Sequence, residues 1–328
     1  MTLSEDHILD RRRMRRKLTF WRVLTFVVVA VALLAIIGSF GLGGTDALSK
    51  RSAHIARIPI TGFIANSRYA MEQLEKIRKD TNVKAVIISV DSPGGTTVGG
   101  ELLHKSLRAI GDDKPMVTSI GGLAASAGYM VAVAADHIVA PRTAIIGSVG
   151  VILQYPNATE LLAKLGVSVE EIKSSPLKAE PSPFNATPAE ARTMLEAMLL
   201  DTYTWFADLV KERRGFTDSE AEPLVDGSVF TGQQALNRKL IDEIGDETIA
   251  KKWLVSQKDI NKDLPIVTWS LAKPPEDFLL ARAIFHSVAS MVGLSDVVSA
   301  QRLSSITTPA AGLDGFLSVW QAGVNIAE

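Results

Sequence analysis

Ser126 stands in the run GGLAASAGYM, residues 121–130, which carries no charge and has small residues on both sides of its one hydroxyl. Ala124-Ala125-Ser126-Ala127-Gly128 is a small-x-Ser-x-small arrangement related to the nucleophile elbow, in which a tight turn presents a serine to an approaching carbonyl. A helix N-cap serine in a tight turn has the same composition, and the run alone does not separate the two. A second small-residue turn, Asp91-Ser92-Pro93-Gly94-Gly95, follows an apolar run. Glycines there allow close backbone approach, and N–H groups near a helix start can face a developing negative charge. A plain turn would look the same. The amide of Ala127, next after the serine, is placed to be the other donor.

A serine nucleophile needs a base. There are five histidines: His7, His54, His104, His137 and His286. None has an orienting carboxylate in an obvious sequence position. A lysine serves equally when apolar surroundings lower its pKa. In EIKSSPLKAEPSP, residues 171–183, Lys178 is flanked by Pro176, Leu177, Ala179 and Pro181, and Lys173 is the alternative. By composition both are also ordinary surface lysines.

The elements that must carry these residues alternate. Residues 54–64 read as a strand, 67–80 as a helix with Met71, Leu74 and Ile77 on one face, and 83–90 (VKAVIISV) as a strand covered on both sides. A helix over about 98–110, a strand at 115–120 and a helix from the serine run to about 135 follow. Short strands are expected at 137–140 and 145–153. The 187–190 sequence TPAE reads as a capping box opening a long helix that stops at Gly215. A strand–turn–helix unit spans 226–245. Leu280, Ile284, Val288 and Met291 form one helical stripe in the tail. This alternation predicts an α/β fold with much parallel pairing, and open sheets of that kind place sites at the carboxyl ends of strands.

The 328 residues carry 35 basic and 36 acidic side chains, so no net field recommends a nucleic-acid partner. Cysteine is absent, which excludes disulfides, thiolate metal sites and a cysteine nucleophile. The 17 residues 24–40 carry no charge and follow Arg11, Arg12, Arg13, Arg15, Arg16, Lys17 and Arg22. They predict a single membrane-spanning anchor with a cytoplasmic N-terminus. Thr45-Asp46-Ala47 is a poor cleavage site, so the anchor is expected to be retained. The expected organisation is a basic cytoplasmic segment (1–23), the anchor (24–40), a linker (41–53), a catalytic domain (54–250) and an extension (251–328) that caps the core or contacts another subunit.

DSPGG, LAASAGYMVAVAAD, IIGSVGV, IKSSPLK and DGSVFTGQQALNRKLIDEIG, in that order, make residues 54–245 resemble the signal peptide peptidase A family. That resemblance implies a membrane-anchored serine protease of the short, single-repeat form, with a ββα superhelix like those of Clp protease and the crotonases. It implies Ser126 as nucleophile, Lys178 as general base and Ser148 as the residue orienting the lysine. The implied oxyanion donors are the backbone N–H groups of the Gly94-Gly95 turn and of Ala127. No metal or cofactor is implied. The expected substrates are cleaved signal peptides at a bacterial inner membrane, with the catalytic domain on the extracytoplasmic side, lipid around the anchor and a homo-oligomer in which the lysine can serve a neighbour. The sequence departs from the family at Ala127-Gly128-Tyr129-Met130, where Gly-Gly-Tyr-Tyr is common. The competing expectations are a crotonase-like acyl-CoA enzyme and an inactive membrane scaffold.

Overall fold

Strand β2 (Val83–Thr96) runs through the middle of the sheet because its side chains are apolar on both sides. Val86, Ile88 and Val90 point into one buried cluster, and Ala85 and Ile87 into another, as the two-residue period of a strand requires. The computed structural model describes residues 49–273, with residues 17, 19–26, 28 and 317–319. β2 lies parallel to β1 (His54–Ile64) and to β3 (Met116–Ala125). One face is covered by α1 (Arg68–Lys79), α2 (Thr97–Asp113) and α3 (Ala127–Ala132), whose Leu74, Ile77, Leu107 and Met130 are buried in the first cluster.

β3 forks. Its first half pairs with β4 (His137–Ala140) and its last three residues with β5 (Ile145–Gly147). The long path through the sheet is β6-β5-β3-β2-β1-β8, with β6 (Val229–Thr231) antiparallel to β5. β7 (Glu243–Ile244) extends β4. Between β5 and β6 lie the short helix α4 (Thr159–Lys164), the 26-residue α5 (Ala189–Arg214) and α6 (Asp218–Ala221). α7 (Gly232–Asn237) follows β6, and α8 (Glu247–Gln257) lays Ala250 and Leu254 on the second sheet face. β8 (Ile266–Thr268) adds to β1 in parallel, and β9 (Leu317–Val319) adds antiparallel to Gly94–Thr96 of β2.

Several expectations are corrected. Residues 91–96 form extended strand, not a turn, because Gly94 and Gly95 pair with Phe63 and Ile64. β3 continues to Ala125, so the serine run is half strand, and β5 stops at Gly147, where Gly147 (φ +110°) and Ser148 (φ +53°) turn the chain. The TPAE capping box does not form: Pro188 is the N-cap of α5 without a side-chain bond, and the Thr187 hydroxyl meets that of Tyr155 at 3.0 Å. The stop at Gly215 holds, in left-handed conformation (φ +67°). A domain edge at 250 falls inside α8. The folded core continues through Trp269, whose Nε1 donates to His54 Nε2 at 3.0 Å. The tail stripe at 280–291 lies outside the described residues. So does most of the 24–40 span, of which 24–26 and 28 are described. Among the described residues no helix is long and apolar enough to cross a membrane.

Candidate active site

Ser126 occupies the single residue between β3 and α3, with φ 55° and ψ −121°. That conformation costs a non-glycine residue about 1–3 kcal/mol and persists only where surroundings impose it. The Ser126 amide donates to Gly147 O at 2.8 Å, and its carbonyl accepts from Met130 N at 2.9 Å. Ala124, Ala125, Ala127 and Gly128 pack around it without exposure. A methyl at Gly128 would lie 2.6 Å from Ser92 O, so only glycine lets α3 come this close to β2. Ser126 stands at the N-cap position but makes no side-chain cap bond. Its Oγ lies 3.5 Å from Gly150 O, the outer limit of a hydrogen bond. The reading of Ser126 as a capping serine therefore fails, since its hydroxyl is not committed to the helix.

The amide of Ala127, first residue of α3, is buried and has no acceptor within its helix. The amides of the DSPGG segment are not equivalent. Gly94 N donates to Ser92 Oγ at 3.1 Å, and Ser92 Oγ donates to Gly62 O at 2.6 Å. The Gly94 donor is thus already used internally, and Gly95 is in register with Ile64 on one side and Ser318 on the other. Gly95 must be glycine, because a Cβ there would meet Ile64 O at 1.8 Å. The backbone edge of 94–96 is in register with Val319, Ser318 and Leu317, so the chain's own β9 covers it.

Pairing of Ala125 with Gly147 ends β3 and β5 level, so Ser126 and Ser148 are each the first residue past a pair of adjacent strand ends. Ser148 is held there by its amide, which donates to Ser228 O at 2.7 Å. The lysines behave differently. Lys173 Nζ lies 2.6 Å from a Glu171 carboxylate oxygen and 2.7 Å from one of Glu180. Hydrogen bonds that its ammonium donates to Glu171 first and then to Glu180 raise its pKa, which holds it protonated and unsuited to act as a base. Lys178 is exposed, and among the described residues its Nζ enters no hydrogen bond or ion pair.

The described histidines are engaged elsewhere. His54 Nδ1 donates to Ser52 O at 2.8 Å while Nε2 accepts from Trp269. His137 stacks on Trp253 and lies 3.3 Å from Glu243. His104 is buried with Nδ1 2.8 Å from Met130 O, and burial pushes its pKa down to about 4. His7 and His286 lie outside the described residues. Two side chains shape the site in roles that the sequence did not assign. They are Ser92, which holds the glycine segment, and Arg213, which bonds Val133 O at 2.8 Å beyond α3.

Comparison with known proteins agrees with this architecture. Residues 108–261 match the model of peptidase family S49, and residues 47–161 match that of Clp protease. The chain is 35% identical over 210 residues to a Synechocystis protein named "Putative protease", covering 64% of this chain and 76% of that one. It is 32% identical over 228 residues to a "Putative protease" of Methanocaldococcus jannaschii, covering 70% and 73%. It is 32% identical over 191 residues to Protease 4 of Haemophilus influenzae, covering 56% of this chain and 31% of that longer protein. With a Clp protease-like mixed sheet and relatives matched over most of both chains, this protein belongs to peptidase family S49 and is a serine protease.

Proposed function

We propose that Ser126 attacks peptide carbonyls with Lys178 as its general base. The observation that supports this most is the strained, non-capping Ser126 between the buried Ala127 amide and Ser148. Neutral Lys178 Nζ takes the proton from Ser126 Oγ as Oγ bonds to the carbonyl carbon. The amides of Ala127 and of the Gly94-Gly95 segment stabilise the oxyanion. Protonated Lys178 then gives its proton to the leaving amine, and water hydrolyses the acyl-enzyme. Ser148 Oγ orients the lysine.

Lys178 sits in a segment, 151–188, that leaves large apolar side chains in solvent. Leu161 is 60% exposed, Leu165 67%, and Ile172 fully. Such a surface suits burial against a second copy, so the lysine serves the serine of a neighbouring subunit in a homo-oligomer. The 24–40 span anchors the protein in a bacterial inner membrane among lipid, N-terminus in the cytoplasm and protease domain outside. Remnant signal peptides, apolar and membrane-borne, are the substrates. The deciding experiment incubates wild type and Ser126→Ala with a signal-peptide mixture and reads the cuts by mass spectrometry. Cuts made equally by the variant would overturn the nucleophile. Cleavage confined to folded soluble proteins would overturn the substrate class.

A further inference from the structure

The helix that follows Ser126 is only six residues long and wholly buried, so nothing in its length holds it in place. Its C-terminal carbonyls accept amides of the turn that follows, Tyr129 O from Val133 N and Val131 O from Ala134 N, and side chains from other elements bond both the helix end and that turn. His104 lies 2.8 Å from Met130 O, and Thr118 Oγ1 donates to Ala132 O at 2.9 Å. Arg213 donates from Nε to Val133 O at 2.8 Å and from Nη2 to Ala135 O at 3.0 Å. Arg108 donates to Ala134 O at 2.8 Å, and both guanidiniums reach Asp136 at 3.2 Å. Two cations at a helix C-terminus also oppose its negative dipole end.

Arg213 differs from the others in what it connects. It lies in the last turn of α5, the rod that returns from the Lys178 segment. The first half of α5 is largely in solvent, with Met198 48% and Leu200 59% exposed, while Phe206, Ala207 and Val210 near its end are buried. The planar guanidinium spans two carbonyls that a single ammonium could not fork.

We propose that Arg213 is a positioning residue. From α5 it locks the C-terminal end of α3, and so holds Ser126 in its positive-φ conformation and Ala127 N–H in line with the reacting carbonyl. The inference rests on Ser126 being the nucleophile. A helix shift of about 1 Å at the reacting atoms is enough to cost roughly 100-fold in rate.

The test uses the full chain in detergent. It measures covalent labelling of Ser126 by an alkyl fluorophosphonate together with kcat and KM on a peptide, at a temperature where circular dichroism shows each variant folded. In Arg213→Ala, labelling and kcat are expected to fall roughly 10- to 100-fold with KM nearly unchanged. Added methylguanidinium is expected to restore part of the loss. A labelling rate equal to wild type in folded Arg213→Ala would show a purely structural role and overturn the proposal. If that variant does not fold, Arg213→Lys decides. Labelling reduced at least about fivefold in folded protein supports the fork, and unchanged labelling overturns it. Ser126→Ala separates the two readings, because labelling that survives it removes the nucleophile assignment whatever Arg213 does.

Discussion

The amide of Ser126 donates to the carbonyl of Gly147 at 2.8 Å, so the serine of the elbow is bonded to the residue before Ser148. The ends of two neighbouring strands, β3 and β5, are thereby tied together. Ser126→Ala is expected to abolish peptide hydrolysis with the fold intact, because only a hydroxyl is removed. Ser148→Ala is expected to lower kcat by about 10- to 1000-fold, because the proposed orienting partner of Lys178 is lost. Single-turnover cleavage across a pH series reads both.

The two lysines separate by replacement with arginine, which keeps the charge and cannot act as a base at neutral pH. Lys178→Arg is expected to lose activity by about 1000-fold or more. Lys173→Arg is expected to retain it within a fewfold, because the ion pairs with Glu171 and Glu180 survive. The reverse pattern in a peptide-cleavage assay would transfer the base to Lys173.

His104 gives the fold a pH dependence. Buried beside Met130 O, it has a pKa lowered from 6.5 to about 4, chiefly by desolvation. The unfolded chain binds a proton below pH 6.5 while the folded chain does not until about 4, so stability is full above that window and declines as pH falls through it. The loss amounts to about 3 kcal/mol over the whole window. Urea titrations at pH 7 and pH 4.5 are expected to show this slope in wild type and a smaller one in His104→Gln, whose amide can still donate to Met130 O.

Gly95→Ala places a methyl 1.8 Å from Ile64 O, a backbone atom that cannot swing away. The ends of β1 and β2 must separate, at an expected cost of about 1–3 kcal/mol or more. The Gly95 amide, a donor in the proposed oxyanion hole, is then displaced, and kcat is expected to fall. Equilibrium unfolding reads the first effect and kcat the second.

Pairing of β9 with Gly94–Thr96 predicts the effect of truncation. A chain ending at residue 273 loses those hydrogen bonds. Amide exchange over residues 94–96 is expected to accelerate, and an extended peptide substrate gains the same edge, so KM is expected to fall. Unchanged exchange would show that the pairing is not maintained in solution.

Much of this was legible in residue order. The β-branched run at 83–90 announced a strand covered on both faces, the small residues around Ser126 announced a tight junction, and Gly215 marked the end of a long helix, because each signal is local. Tertiary structure decided the rest. Whether DSPGG was turn or strand depended on β1 lying alongside it, since glycine permits both. Whether Ser126 capped its helix depended on a φ of 55° imposed by Gly147 and the packing of α3. The lysines, alike in composition, differ because Glu171 and Glu180 converge on Lys173 and leave Lys178 exposed. The tie from Arg213 to the end of α3 had no sequence signal, because it joins residues 80 apart. Local order settled which residue types could do the chemistry, and long-range packing settled which of them are held where the chemistry needs them.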